Sequence, residues 1–269
     1  MKRDEEGIIG TRPIDRRCIA ANLFLKGLHP VSAELLAPLL DEVRVASGST
    51  LPSGDFANGL IYFPTSLVTC VKLRSYRTGI ALVGREGVIG WQAIFDTNID
   101  EYEAQVLLEG GATLTISVEN MRRVCLQSPD LMTHMLRFIR SYTFQLSCSV
   151  SSSSRATLKQ RLAAWLLMIH DRIDGDFLQI THGSLAAQLG VRRASVTDCL
   201  HVLEGDDSLR CARGLIVLRD RALLEAFAGN AYSESFPLPQ SGVAKRPAKS
   251  RHRPPHRTSR AELAPFVTV

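Results

Sequence analysis

Residues 181–203 constrain the fold of this chain more than any other stretch, because their apolar positions are interrupted by a single glycine. Leu185, Ala186 and Leu189 lie on one face of a short helix, since residues three or four apart share a side. Gly190 follows that face, and glycine readily takes the left-handed conformation that ends a helix. Apolar residues then resume at roughly helical spacing. The pattern predicts two short helices joined by a tight turn, a helix-turn-helix.

The second helix of this motif begins with side chains suited to DNA. In a DNA-binding helix-turn-helix this end of the second helix enters the major groove. The guanidinium fork of arginine fits guanine or phosphate, and hydroxyl groups donate to phosphate oxygens or bases. We therefore predict DNA contacts from Thr181, His182, Arg192, Arg193, Ala194, Ser195, Thr197, Asp198 and His201. An ordinary helical hairpin with a solvated arginine pair is the alternative that the motif alone leaves open.

The residues around the motif extend it to a winged helix. An amphipathic helix is predicted upstream, from about residue 158, and a short strand follows it. Residues 209–218 have the pattern of a β-hairpin whose turn lies at Arg213 and Gly214, which is the expected wing. Asp220 is placed to cap a last helix. Arg213 therefore joins the predicted DNA contacts.

Residues 43–117 have a different pattern. Short runs rich in β-branched and aromatic residues are separated by turns that contain glycine, and the runs lie at 59–64, 67–73, 79–83, 104–108 and 112–117. Short strands at roughly ten-residue spacing predict an antiparallel β-roll or barrel. No catalytic triad or metal-ligand cluster is apparent among them in the sequence.

A long helix is predicted after the roll, preceded by a shorter one at 118–127. Ser128 is placed as its cap and Pro129 in its first turn. It carries a first stripe of Leu131, Met135, Phe138, Tyr142, Gln145 and Ser149, and a second stripe of Leu136, Ile139, Thr143, Leu146 and Val150. We expect one stripe to cover the roll and the other to face a partner helix in a dimer. A core helix of a monomer is the alternative. Ser151–Ser154 is expected to be a hinge.

The two ends of the chain are predicted to be flexible. Residues 1–20 are polar, and a helix at 32–43, begun by Ser32 and broken near Pro38, comes after them. Residues 236–269 are rich in Pro, Arg, His and Ser and cannot bury enough apolar surface to order themselves. This tail also carries the positive charge of the chain. The formal net charge of the whole chain is +5, whereas residues 237–269 alone have a net charge of +6 and the other residues a net charge of −1. The basic pI is therefore weak evidence for DNA binding by the body.

Composition argues against several classes of protein. A hydrophobic content of 45% and a charged content of 22% are those of a globular protein. No apolar run approaches the roughly 18 residues that cross a membrane, and no signal-peptide core follows the N-terminus. We expect a cytoplasmic protein without a membrane partner. The six cysteines lack metal-binding spacing, so free thiols are expected and no metal or cofactor.

The order of roll, long helix and winged helix-turn-helix resembles the Crp/Fnr transcription regulators. The resemblance covers about residues 20–230 and is carried by four motifs, at Ile61–Ser66, Leu82–Gly90, Gln160–Arg172 and Leu189–Thr197. It implies an α+β chain with a flexible 1–20, a cyclic-nucleotide-binding-like sensory β-roll at 21–128, a dimerisation helix at 129–152, a winged helix-turn-helix at 153–235 and a basic tail at 236–269. It also implies a homodimer that binds palindromic double-stranded DNA, with Arg193 on a base.

The resemblance places an effector pocket in the roll, and this chain departs from the family there. The pocket is expected at Gly84, Glu86, Gly87, Gly90, Tyr102, Glu103, Leu146 and Ser147. Family members that bind cyclic nucleotides clamp the phosphate with an Arg-Ser pair, and Tyr102-Glu103 stands in that place. Carboxylates around the phosphate seat repel it, and a buried phosphate without arginine lacks its charge partner. Cyclic AMP is therefore not the expected effector, and the effector is not specified.

Two other functions compete with that of a DNA-binding regulator. The winged helix could contact a protein partner instead of DNA, which the acidic residues Asp198, Asp206 and Asp207 near the reading surface favour. An enzyme has little support, because the adjacent His170 and Asp171 have no nucleophile placed beside them by any motif. RNA polymerase is a candidate further partner of the regulator.

Overall fold

The computed structural model describes residues 8–12, 16–51, 59–95 and 101–233. Its N-terminal half is an antiparallel β-roll of two four-stranded sheets. One sheet has the order β1-β2-β8-β4, with strands Ile8–Arg12, Asp41–Ala46, Gly110–Ser117 and Leu60–Pro64. The other has the order β3-β7-β5-β6, with strands Thr50–Leu51, Tyr102–Val106, Thr69–Leu73 and Gly79–Val83. The predicted β-roll is confirmed.

The N-terminal segment differs from its prediction. Residues Ile8–Arg12 form strand β1 against β2, and helices α1 (Arg16–Ala21) and α2 (Leu23–Lys26) follow, so part of the predicted flexible segment at 1–20 has regular structure. Backbone hydrogen bonds to β2 hold strand β1 in place, and such pairing cannot be predicted from a polar sequence that lacks a periodic apolar pattern. The other residues of that segment lie outside the described residues.

The helix predicted at 32–43 is also shorter than expected. Helix α3 is Pro30–Leu36 with His29 as its N-cap, and a 3-10 turn containing Pro38 leads directly into β2. Ser32 is not a cap. Its buried hydroxyl group hydrogen-bonds the hydroxyl of Ser128 at 2.8 Å. The prolines explain the bounds, because proline is favoured at the first helical position and cannot continue a hydrogen-bonded helix.

The long helix carries the two stripes on different faces. Helices α4 (Val118–Gln127) and α5 (Pro129–Arg155) have the predicted start, with the Ser128 hydroxyl accepting from the Leu131 amide at 3.2 Å. The first stripe is buried as far as Gln145, whose amide donates to the Leu82 carbonyl of the roll at 3.2 Å. The second stripe is exposed or half-buried, with Leu136 at 55% and Val150 at 70%. The roll therefore covers the first stripe, and Ile139 and Leu146 of the second stripe pack at the edge of its core. The uncovered face of α5 within the protomer consists of Leu136, Thr143 and Val150.

The predicted serine hinge at Ser151–Ser154 is wrong. Helix α5 continues through these serines to Arg155, and the break comes at Ala156 and Thr157. The hydroxyl groups of Ser152, Ser153 and Ser154 donate to carbonyl groups three residues earlier. Their hydrogen bonds are therefore formed within the helix, and the helix continues through them. The helix also exceeds the predicted bounds of 129–152.

The C-terminal half is a winged helix-turn-helix. Its elements are α6 (Leu158–His170), β9 (Phe177–Leu178), α7 (His182–Leu189), α8 (Arg193–Gly205), β10 (Leu209–Ala212), β11 (Leu215–Leu218), α9 (Arg221–Ala228) and α10 (Asn230–Ser233). Strands β10, β11 and β9 form a three-stranded antiparallel sheet. Asp220 caps α9 as predicted, with its carboxylate accepting from the Leu223 amide at 3.0 Å. The predicted tail at 236–269 lies outside the described residues.

The described residues form two apolar clusters, and the roll and the winged domain both contribute to the second. A first cluster fills the roll and the inner face of α5. A second cluster joins the apolar faces of α6, α7 and α8 to Val68, Cys70, Leu82 and Leu107 on the outside of the roll. The winged domain is therefore packed directly against the roll of its own chain.

Among the described residues, every helix is too short or too polar to cross a membrane.

Candidate nucleic-acid interface

The turn between α7 and α8 has the predicted glycine conformation. Gly190 ends α7 with a φ of +66°, in the left-handed region, and the Val191 amide donates to the Ala186 carbonyl at 3.0 Å. At the other end of α7 the exposed Thr181 is the N-cap, and its hydroxyl accepts from the Ser184 amide at 3.0 Å. These local bonds fix α7 and thus the position of α8.

The first turn of α8 presents the residues predicted to bind DNA. Arg192, Arg193 and Ala194 are exposed and Ser195 is half-buried. Arg192 is the N-cap and makes no side-chain capping hydrogen bond, so the first-turn amides can bind phosphate oxygens. The two guanidinium groups therefore lie at the positive end of the helix, where both phosphate and base contacts are available.

The side chains of Thr197 and His182 form a hydrogen bond with each other. His182 Nδ1 lies 3.0 Å from Thr197 Oγ1, and the Thr197 hydroxyl also lies 3.1 Å from the Arg193 carbonyl. Burial lowers the pKa of His182, and the nearby charges of Arg193 and His201 lower it further, which favours the neutral imidazole. The pair holds the start of α7 against α8, and the structure thus gives both residues a positioning contact.

The remaining predicted contacts surround this helix end. Asp198 and His201 are exposed on α8, and His201 Nδ1 lies 4.0 Å from a carboxylate oxygen of Glu204. Arg213 is exposed at the tip of the β10–β11 hairpin, where Gly214 has a φ of +72°. The hairpin turn is therefore where the sequence predicts it, and its arginine points to no partner inside the described protein.

The structure does not bring the residues predicted for the effector pocket together in one place. Gly90, Tyr102 and Glu103 line a narrow space between the roll and α5, together with Tyr142 and mainly apolar side chains. The described residues that line it include no lysine or arginine. Glu103 is paired with Lys72 at 2.8 Å.

The other five predicted pocket residues lie elsewhere. Gly87 packs against Phe138, while Leu146 and Ser147 lie further along α5 than the residues lining the space. Gly84 and Glu86 face the winged domain, where Arg172 donates from Nε to Glu86 Oε1 at 2.8 Å. The structure therefore divides the predicted pocket into a narrow apolar space and an interdomain contact.

Sequence analysis missed the residues that join the two halves. Arg172 is the main one, and Gln188 is another, since the Cys70 thiol lies 2.7 Å from its Oε1. Burial raises the pKa of the Cys70 thiol, so it is not reactive as a thiolate. A signal was present in the sequence, because Arg172 follows the apolar face of α6 at helical spacing from Trp165 and Ile169. An arginine that continues the buried face of a helix is expected to be buried itself and to pair with a carboxylate.

Residues 160–227 match the family described as the Crp-like helix-turn-helix domain. A curated relative, the cyclic AMP receptor protein of Thermus thermophilus, is 28% identical over 214 residues, which are 75% of this chain and 94% of that protein.

Solved structures share the fold. A putative Crp/Fnr-family transcriptional regulator from Eubacterium rectale has a TM-score of 0.59 at 17% identity, covering 76% of this chain and 96% of that one. A CRP-family transcriptional regulator from Thermus thermophilus has a TM-score of 0.57 at 21% identity, covering 69% of this chain and 96% of that one. At these identities the likeness concerns the fold alone.

Proposed function

We propose that this chain, which belongs to the Crp/Fnr family of transcription regulators, binds palindromic operators in double-stranded DNA as a homodimer. The observation that carries the proposal is the exposed Arg192–Arg193 pair at the N-terminal end of α8 in a winged helix-turn-helix. Regulators with this motif place two such helices in successive major grooves about one DNA turn apart. The site of action is the cytoplasm, and RNA polymerase is a further partner.

The uncovered face of α5 supports the dimer. The second stripe has the spacing of three and four residues that is typical of helices pairing along a seam. Its members are exposed or half-buried in the protomer, while the first stripe is occupied by the roll. In a dimer whose two-fold axis runs along α5, this face would be buried between the two protomers. Their two copies of α8 would then face one palindromic site.

Selection of bound sequences from a random duplex library, with purified protein and no added ligand, tests the proposal. We expect a two-fold symmetric motif, whose half-sites lie one helical turn apart because the two α8 helices are related by the dimer axis. Binding should weaken steeply with salt, since phosphate contacts release counterions.

Failure of that selection has a defined meaning. If nothing is enriched by a folded dimer, even with cell extract added, operator binding is refuted. The alternative of a winged helix that contacts a protein partner then gains support from the exposed Asp198, Asp206 and Asp207.

Cyclic AMP is not expected to bind the roll. The position of the phosphate clamp holds Tyr102 and Glu103, and Glu103 already pairs with Lys72. An anionic ligand entering this space would meet a carboxylate and no unpaired cation among its described lining residues. Calorimetric titration with cyclic AMP should give no binding heat, and the operator affinity should be the same with and without the nucleotide. A saturable heat at micromolar cyclic AMP would contradict this prediction.

A further inference from the structure

The turn at Gly84–Gly87 holds an arginine of the same chain. Arg172 has a side chain only 2% exposed, and its guanidinium group donates to Glu86 Oε1 at 2.8 Å and to the Leu82 carbonyl at 3.1 Å. A third hydrogen bond, to the Met168 carbonyl at 2.6 Å, holds the side chain on its own helix. The Glu86 carboxylate in turn accepts from the Gly84 amide at 3.1 Å. The guanidinium group is thus bound by one carboxylate and two carbonyl groups.

The close approach of Arg172 requires glycine in the turn. A Cβ atom at Gly84 would lie 2.9 to 3.0 Å from three carbons of the Arg172 side chain. Because Arg172 is fixed by its bonds on both sides, it cannot move away from such an atom. Gly84 therefore admits the arginine, in the way that glycine admits a ligand close to the backbone.

A second contact lies at the other end of β6. A Cβ atom at Gly79 would overlap the Cys70 sulfur and would lie 2.8 Å from the ring of Trp165 on α6. The winged domain is therefore contacted at both ends of β6: Gly79 at its start lies against Trp165 of α6, and Gly84 just after it lies against Arg172, which follows α6. Arg85 and Asp174 add a weaker, exposed ion pair at 3.4 Å.

We propose that the contact between the Gly84–Gly87 turn and the guanidinium group of the chain's own Arg172 is the lock that fixes the winged domain on the roll. Arg172 and Glu86 are positioning residues: they hold the winged domain on the roll and so set the direction of α8. The proposal rests on the proposed function, since the orientation of α8 matters for operator binding. It predicts that the docked state, and with it operator binding, needs no effector.

Trp165 provides a direct measurement of docking. The chain has two tryptophans, so Trp91→Phe leaves Trp165 as the sole emitter, and its ring lies against Gly79 at the interface. In this full-length background Glu86→Gln keeps the shape of the side chain and removes its charge. We expect the Trp165 emission to shift to the red and acrylamide quenching to increase, because undocking exposes the ring to water. Operator affinity should fall about tenfold, within the usual range for coupling between sites.

Two further variants separate docking from general damage. Glu225→Gln is the matched control, since it removes an exposed carboxylate within the winged domain and leaves its partner Arg221 paired with Asp171 at 2.8 Å. It should leave emission, quenching and affinity unchanged. Arg172→Lys keeps the positive charge but loses the guanidinium fork that reaches several acceptors. Its Trp165 emission, quenching and operator affinity should therefore lie between those of the wild type and those of Glu86→Gln. Circular dichroism establishes that each variant is folded.

The outcomes are distinct. Wild-type quenching and emission in folded Glu86→Gln would overturn the proposal, whatever its DNA affinity. Undocking with unchanged operator affinity would overturn the positioning role. If the wild-type protein binds no DNA, the proposed function fails, while the Trp165 signal still decides whether Arg172 holds the domains together.

Discussion

Replacing Arg193 by alanine is expected to abolish sequence-specific operator binding. Arg193 is exposed in the first turn of α8, the part of a recognition helix that faces base edges. A bidentate arginine–guanine contact contributes about 1–3 kcal/mol of discrimination, and a two-fold symmetric dimer makes it twice. The expected loss is therefore about 2–6 kcal/mol, which brings specific binding close to the level of non-specific binding. Fluorescence anisotropy with the selected operator and a scrambled duplex measures both affinities.

Two neighbouring substitutions make this result interpretable. Arg192→Ala removes a guanidinium group one residue earlier, at the N-cap, where phosphate is the expected partner. It should weaken operator and scrambled duplex alike and lower the salt slope by about two, one for each protomer. Arg44→Ala removes an exposed arginine from β2 of the roll and should change neither affinity. Equal loss on both duplexes from Arg193→Ala would show that this residue binds phosphate and does not read a base.

Local sequence signals predicted several element ends correctly. The Ser128 cap, the left-handed Gly190 and the Asp220 cap were all identified from a few adjacent residues. Such features depend on whether a side chain can bond a nearby amide or a glycine can take a positive φ. Helical periodicity likewise predicted that one of the two stripes on α5 covers the roll, and the structure shows that it is the first.

The errors arose where one residue type permits two structures. Serines at 151–154 suggested a hinge, but a serine hydroxyl can bond the carbonyl three residues back and stay in a helix. Ser32 suggested a cap, but its hydroxyl is used by Ser128, which lies 96 positions away. The choice in each case is made by packing that the local sequence does not contain.

The same reason explains why the interdomain contact was missed. Glu86 and Arg172 are separated by 86 positions, and each occurs in a motif that has a local interpretation, a turn for one and a helix end for the other. Only the packing of β6 on α6 brings them together. The resemblance predicted an effector site at the turn, whereas in the structure the turn contacts Arg172 of the same chain.

Glutamate at two positions of the second stripe is expected to convert the dimer to a monomer and to remove operator binding with it. Leu136 and Val150 are 55% and 70% exposed in the protomer, so Leu136→Glu and Val150→Glu together cost the fold little. In a dimer the four introduced carboxylates would be buried near one axis, where desolvation and like-charge repulsion oppose association. Sedimentation equilibrium should give the monomer mass.

The loss of operator affinity should exceed that of any single contact. In a dimer the second α8 helix meets its half-site at an effective concentration of about millimolar because the first is already bound. A monomer lacks this gain and holds one half-site with one set of contacts. Leu126→Glu is the matched control, because Leu126 is a 78% exposed leucine on α4, outside the stripe. It should leave both mass and affinity unchanged. A double variant that stays dimeric would show that the second stripe is not the interface and would move the dimer axis to another face of the chain.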